Sequence, residues 1–330
     1  MGSKDPIFIG VDLGGTNIEA AAVRNGKVLK SKKKKTHADE GVEVVIDRIE
    51  KTVRKLFKKL DAEASDFEGL CIGAPGAIDI ATGIVREAPN LPGWTDITLG
   101  DELQARLGLP VTVDNDVNIG VLGEYVYGAG RGSLNMVGIW VGTGIGGGIV
   151  VNGQPVHGWR GAAGEIGHTV VNPHGRTCSC GREGCVEAYS SKVAMRAMIE
   201  EQIARGRDSV MPQIMEEKDK RRMTSSVIEA ALEAGDAPMI EALKTSQFYL
   251  GLLTANLVNV LDPQVVVFGG GLVERLGYDF VEPVAHTARK YYLQQKSAER
   301  IRIVPSVLGD DAGPVGAAVV AYRRLHKSAG

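Results

Sequence analysis

A two-domain α/β protein with a duplicated core is the fold class the sequence predicts, and three observations predict it. Two strand–glycine–strand units, one on Gly14 and Gly15, the other on Gly142, Thr143 and Gly144, recur half a chain apart. Short apolar strands at 70–72, 111–113, 136–141 and 265–268 alternate with stretches of helical period. A length of 330 residues leaves room for more than one compact domain. The balance of charges excludes other classes. A formal net charge of −2 gives no electrostatic case for nucleic acid or an anionic membrane as partner. No apolar run reaches ~18 residues, and the N-terminus does not read as a signal peptide. Four cysteines, three of them clustered, fit a reducing compartment, so a cytoplasmic enzyme is expected.

Taken in order, residues 6–13 form a short buried strand that meets Gly14, Gly15, Thr16 and Asn17 and continues as a second strand over 18–23. Asn25-Gly26 is a two-residue hairpin turn, and a third strand follows. The glycine pair therefore joins strand to strand. A Walker P-loop would need a Lys-Ser/Thr pair and a helix there, and has neither. Lys30 and Lys32–Lys35 lie on the hairpin without interleaved aromatics, which reads as a solvated face blunting a sheet edge.

Apolar residues at 42, 45, 46, 49, 53, 56, 57 and 60 predict a helix. Cys71 belongs to the apolar run 70–72 and is expected to be buried. That strand ends in the tight loop Gly73-Ala74-Pro75-Gly76, and residues 89–94 make a rigid turn that contains Asn90. A helix over 99–107 precedes a strand ending in Asp114-Asn115-Asp116-Val117-Asn118. Polar residues at the carboxyl end of a strand are where α/β folds place chemistry. Phosphoryl transfer to an alcohol needs a carboxylate to accept the hydroxyl proton, and Asp114 and Asp116 are both candidates. Asp116 also reads as a cap for the next helix.

The run Gly142-Thr143-Gly144-Ile145-Gly146-Gly147-Gly148 matches a dinucleotide fingerprint literally. That fingerprint needs a helix straight after the glycines. Here residues 149–151 and Asn152-Gly153 continue as strand and hairpin turn, so a second phosphate loop is the better reading. Residues 188–262 are mostly helical, with 205–222 an exposed connection and 248–261 a helix. Strand 265–268 runs into Gly269, Gly270 and Gly271, which open a helix at Leu272. A last strand over 301–305 and a helix over 315–325 follow.

Between these lies the stretch 164–187, which holds Cys178, Cys180 and Cys185. Three thiolates and one imidazole suit a tetrahedral structural zinc ion. Glycines at 175, 181 and 184 let so short a loop fold back on one metal. His157, His168 and His174 all lie within reach; His168 is preferred, because Glu165 and Glu187 bracket the loop and would be fixed together by a metal beside them.

On Gly167-His168 followed by Cys178-x-Cys180-Gly181-x-x-Gly184-Cys185-x-Glu187, the chain resembles the ROK family of sugar kinases and sugar-responsive repressors. The first hairpin, with Asp12 at its lip, resembles the first phosphate loop of the actin, hexokinase and Hsp70 superfamily. The resemblance implies two actin-like (ribonuclease H-like) α/β domains around a central cleft. One would comprise residues 5–118 and 301–330, the other 119–300 with the zinc loop. It implies ATP held by Gly14, Gly15, Thr16, Asn17, Gly142, Thr143 and Gly144, with Asp12 facing magnesium and Gly269, Gly270 and Gly271 at the adenosine. A sugar would be bound by Gly76, Asn90, Asn115, Asp116, Glu165, His168 and Glu187. Asp116 would be the catalytic base, and His168 would bind zinc with the cysteines.

The spelling of the cysteine motif resembles the glucokinase branch, so glucose is the expected substrate. N-acetylmannosamine, N-acetylglucosamine and fructose are the alternatives. Polyphosphate is a weaker donor candidate than ATP, given the adenosine motif. Repressors of the family carry a winged helix-turn-helix ahead of the first phosphate loop, whereas here Asp12 comes almost at once, so a kinase is expected. A homodimer or homotetramer, without nucleic-acid or membrane partners, is expected by analogy.

Overall fold

The computed structural model describes residues 5–88 and 90–326. Pro89 of the expected turn, and residues 327–330 of the expected first domain, lie outside the described residues. Strands β1 (Phe8–Leu13), β2 (Asn17–Arg24), β3 (Lys27–Lys35) and β4 (Gly69–Ala74) are followed by a small antiparallel sheet of β5 (Ala77–Asp79), β6 (Ile84–Glu87) and β7 (Thr95–Ile97). With β8 (Val111–Asn115) the first large sheet is complete, in the order β3-β2-β1-β4-β8. The second comprises β9 (Met136–Val141), β10 (Ile145–Val151), β11 (Gln154–Pro155), β12 (Val265–Gly269) and β13 (Arg302–Pro305), in the order β11-β10-β9-β12-β13. Both sheets share one plan: an antiparallel three-strand meander, then two parallel strands. The duplication expected from the glycine hairpins is present strand for strand.

The inner parallel strands β4 and β12 are buried on both faces, as near-continuous apolar runs such as Val265–Gly269 require. The helix Val42–Leu60 covers one face of the first sheet with Val45, Ile46, Ile49, Val53 and Leu56. The other face is covered from a distance. The helix Ala312–His326 leaves the second sheet after β13 and packs on β1, β2 and β4 through Val315, Ala317, Ala318 and Ala321. In return, the helix Asp116–Tyr127, which follows β8 of the first sheet, sets Val117 and Val121 against β9 and β10. Each half thus lends its last helix to the other.

The two exchanged helices touch along glycines. A Cβ on Gly316 would lie 1.6 Å from the Ile119 carbonyl oxygen, and one on Gly123 would lie 2.4 Å from that of Ala312. No other residue type fits so close a backbone approach.

Several expectations change. Residues 302–305 hydrogen-bond to β12 in the second sheet, so the return to the first half starts after Pro305 rather than at 301. The stretch 205–222 is not merely a connection: Met211–Glu217 is a helix whose Met211, Ile214 and Met215 are buried. The helix expected over 248–261 begins eleven residues earlier, at Ala237, where Asp236 caps it by accepting from the Met239 N–H. No helix among the described residues is long and apolar enough to cross a membrane.

Candidate active site

The first glycine turn closes with the Gly14 N–H donating to the Asn17 carbonyl at 2.9 Å. The buried Thr36 braces it from behind, its hydroxyl donating to Gly14 O at 2.6 Å and its N–H to Thr16 O at 2.8 Å. Register then builds a charged row. Asp12 sits opposite Glu19 on β2, and Glu19 opposite Lys33 on β3. Lys33 Nζ reaches Glu19 at 3.2 Å and Asp310 at 3.4 Å. Lys33 is therefore paired, although it stays exposed as the sequence suggested for the lysine face. Alternation along the strand turns it to the opposite side from Lys32 and Lys34.

Burial, joined by the carboxylates of Asp116 and Glu19, pushes Asp12 up from its ordinary 3.8 to about 7. A half-buried acid among other acids is a place that gains from a cation. That is the fit expected for a magnesium ion beside nucleotide phosphates.

Asp116 occupies the first turn of the helix Asp116–Tyr127 at the end of β8. Burial, with the Glu165 charge adding to it, pushes it up to about 6, while the Val117 N–H works the other way. The helix cap is Asn115 and not Asp116: its Oδ1 accepts from the Val117 and Asn118 N–H groups at 2.9 and 3.1 Å. The same side chain donates from Nδ2 to the Gly76 carbonyl at 3.1 Å, tying β8 to the Gly73–Gly76 loop and leaving one amide hydrogen over. Asn90 lies against the first glycine turn: its carbonyl oxygen is 3.3 Å from where a Cβ on Gly15 would sit.

Asp114, the other carboxylate candidate, is held by residues from distant parts of the chain. Nearly fully buried, it receives Arg324 Nη2 at 3.1 Å and lies 3.3 Å from His157 Nε2. Burial opposes its ionisation, yet His157 and Arg324 outweigh that and hold its carboxyl below the ordinary value. His157 is thereby engaged away from the metal loop.

The second glycine turn, between Val141 and Ile145, holds no acid. Gly142 N–H donates to Gly144 O at 2.9 Å, and β10 continues the chain as a strand, which removes the dinucleotide reading. Gly270 packs beside it, since a Cβ there would lie 2.6 Å from the Val141 carbonyl oxygen. The Gly269–Gly271 stretch thus sits next to the second turn, and the helix Gly271–Leu276 starts within it.

His168, Cys178, Cys180 and Cys185 converge, their ligand atoms all within 4.8 Å of one another. His174 and His157 are not part of the group. His168 Nδ1 lies 3.7 Å from Cys178 Sγ, and Cys180 Sγ lies 3.7 Å from Cys185 Sγ. A tetrahedral zinc ion with Zn–S bonds of about 2.3 Å has edges of about 3.8 Å, so the donors and spacing fit that metal. The same 3.7 Å is far too long for a disulfide. Arg182, hydrogen-bonded to Cys180, lowers that thiol to about 6 and favours the thiolate a metal needs. Gly181 and Gly184 take positive φ as expected, at 82° and 79°. Gly175 does not, and is required for another reason: a Cβ there would meet the Tyr189 hydroxyl.

Glu187 opens a short helix at the end of this loop, and its carboxylate is already engaged at both oxygens. Oε2 accepts from the Ile145 N–H at 2.9 Å and Oε1 from the Ser179 hydroxyl at 2.9 Å. Lys33, Thr36 and Ser179 are the side chains that motif reading passed over. For Lys33 the signal was present, in the register that the two turns impose on facing residues.

Residues 8–324 match the ROK family profile. The chain is 36% identical over 316 residues to the glucokinase of Halalkalibacterium halodurans, covering 95% of this chain and 94% of that one. To the glucokinase of Thermotoga maritima it is also 36% identical, over 319 residues, covering 96% and 98%. Its fold matches the crystal structure of a ROK family glucokinase from Streptomyces griseus in complex with glucose and AMPPNP, with a TM-score of 0.82, 31% identity and coverage of 96% and 99%. Two actin-like halves with equivalent hairpin loops, a Cys3His cluster and relatives matched over nearly their full length lead to one assignment: the chain belongs to the ROK family.

Proposed function

We propose that this chain transfers the γ-phosphoryl group of ATP to the primary (6-) hydroxyl of a hexose, with glucose the preferred acceptor. The observation that carries the reading is Asp116: a carboxylate held at the end of β8, raised to about 6, in the field of Glu165. A base with its pKa near working pH accepts a hydroxyl proton most effectively. The near-full-length similarity to two glucokinases supports the acceptor.

In this reading Glu165, His168 and Glu187 hold hydroxyls on one side of the sugar. Asn115, through its remaining amide hydrogen, holds them on the other, with Gly76 and Asn90 at the rim. The amides of Gly14–Asn17 and Gly142–Gly144 orient the phosphates, and Asp12 places a magnesium ion, which would neutralise charge on the transferring group. Asp116 takes the proton as the oxygen attacks. Closing the cleft aligns hydroxyl and phosphate and excludes water. Zinc on His168, Cys178, Cys180 and Cys185 would stand outside the chemistry and fix the loop that carries Glu165, His168 and Glu187. Metal analysis of the purified protein should then find about one zinc per chain.

The test is ADP release with Mg-ATP across glucose, mannose, fructose, N-acetylglucosamine and N-acetylmannosamine at equal concentration. A preference for glucose is expected. A preference for an N-acetyl sugar moves the acceptor and keeps the mechanism. No turnover with any of them overturns the kinase reading.

A further inference from the structure

Glu187 touches three parts of the molecule at once. Its Oε2 holds the Ile145 N–H, the first residue after the second glycine turn, and stands 2.4 Å from where a Cβ on Gly144 would be. Its Oε1 is held by Ser179, which sits between the clustered Cys178 and Cys180. Cys178 Sγ lies 3.7 Å from that same oxygen. The carboxylate is thus bound on one side to the loop that faces phosphates and on the other to the cysteine turn. A carboxylate offers about four lone-pair directions, so two donors leave room for a sugar hydroxyl. A hydroxyl arriving there meets a carboxylate already tied at both oxygens, one of them to the Ile145 amide.

We propose that Ser179 is a positioning residue which, through Glu187, couples occupancy of the sugar site to the nucleotide loop. The inference rests on the sugar-kinase reading above. Ser179 fixes the plane of the carboxylate. A hydroxyl arriving at Glu187 therefore shifts the Ile145 amide, and with it Gly142–Gly144, rather than merely rotating a free side chain. Lacking Ser179, Glu187 turns to meet the hydroxyl and the glycine loop no longer responds.

The test is titration calorimetry of Mg-AMPPNP, with and without saturating glucose, on zinc-loaded parent, Ser179→Ala and Ser179→Thr proteins. In the parent, glucose should tighten the nucleotide by about 5-fold or more, the usual lower range of a coupling between sites. Ser179→Ala should bring that factor below about 2-fold while zinc content and sugar-free nucleotide affinity hold within about 2-fold; Ser179→Thr, which keeps the hydroxyl, should restore it. Unchanged coupling in Ser179→Ala overturns the inference, as does loss of coupling in Ser179→Thr. Loss of zinc in Ser179→Ala does so too, because it reduces Ser179 to a structural part of the loop. If the parent binds no hexose at all, the kinase reading itself falls; if it binds glucose without coupling, only this inference does.

Discussion

The two halves of the molecule carry the same hairpin and use it for opposite purposes. In the first, the position two before the turn is Asp12, facing Glu19 and, one strand further, Lys33. In the second, the matching pair is Trp140 and Gly146, and the third strand, β11, is only two residues long. One hairpin is charged and the other is bare. Glycines at 146 and 148 leave the face of β10 flat enough for Val117 and Val121 of the borrowed helix to lie on it. The chain that would have extended β11 runs off instead into the cysteine loop. Duplication supplied two turns; the acidic residues stayed with one copy, and the other became a platform followed by the cysteine-bearing insertion.

The largest effect is expected from Asp116→Asn, which should lower kcat by about 10²- to 10⁴-fold while glucose affinity changes little. Calorimetry beside steady-state rates separates the two, and an unchanged kcat removes Asp116 as the base. Next is Gly316→Ala, which forces apart the crossed helices that both halves share. About 3 kcal/mol or more of stability should be lost, as overpacking against backbone has no side chain that can yield. Chemical denaturation reads this, and a loss below about 1 kcal/mol would show that the contact relaxes.

Asp12→Asn tests the charged hairpin alone. A carboxyl raised from 3.8 to about 7 favours the folded state when protonated, and that stability is lost as pH rises through about 7. The Asn variant lacks this contribution. Without added magnesium, its melting temperature should therefore gain on the parent's between about pH 4 and about pH 8. A constant difference would mean that Asp12 ionises normally. The smallest effect belongs to Lys33→Ala: its partners are partly exposed, so stability should move by less than about 1 kcal/mol. A larger loss would mark Lys33 as a keystone of the charged row.

What was legible in the sequence was what short stretches of chain decide. Asn25-Gly26 and Asn152-Gly153 both adopt the positive φ angles their hairpins need, so both strand pairs could be placed from the dipeptides alone. The metal group was legible because its three cysteines lie within eight residues, although spacing left His157, His168 and His174 open. Contacts between distant segments left no such trace. Asp114 read as a minor neighbour of Asp116 because its partners, His157 and Arg324, come from elsewhere in the chain. Lys33 read as one lysine among five because Asp310 is 277 residues away. The exchange of helices was hidden for the same reason: each helix has an ordinary apolar pattern, and the pattern does not say whose sheet it will cover.

That exchange also has a consequence for the order in which the molecule can be made. One face of the first sheet, including Phe8, Ala21, Val23 and Cys71, is closed by residues 312–326. On the ribosome those strands emerge early, and the helix that completes that face arrives only when nearly all the remaining chain has been translated. The first half therefore stays open longer, and the second, whose borrowed helix 116–127 precedes its own strands, can close as it emerges. Nascent chains arrested at increasing lengths should show protease protection of β9–β12 before that of β1–β4, although β1–β4 are the older part of the chain.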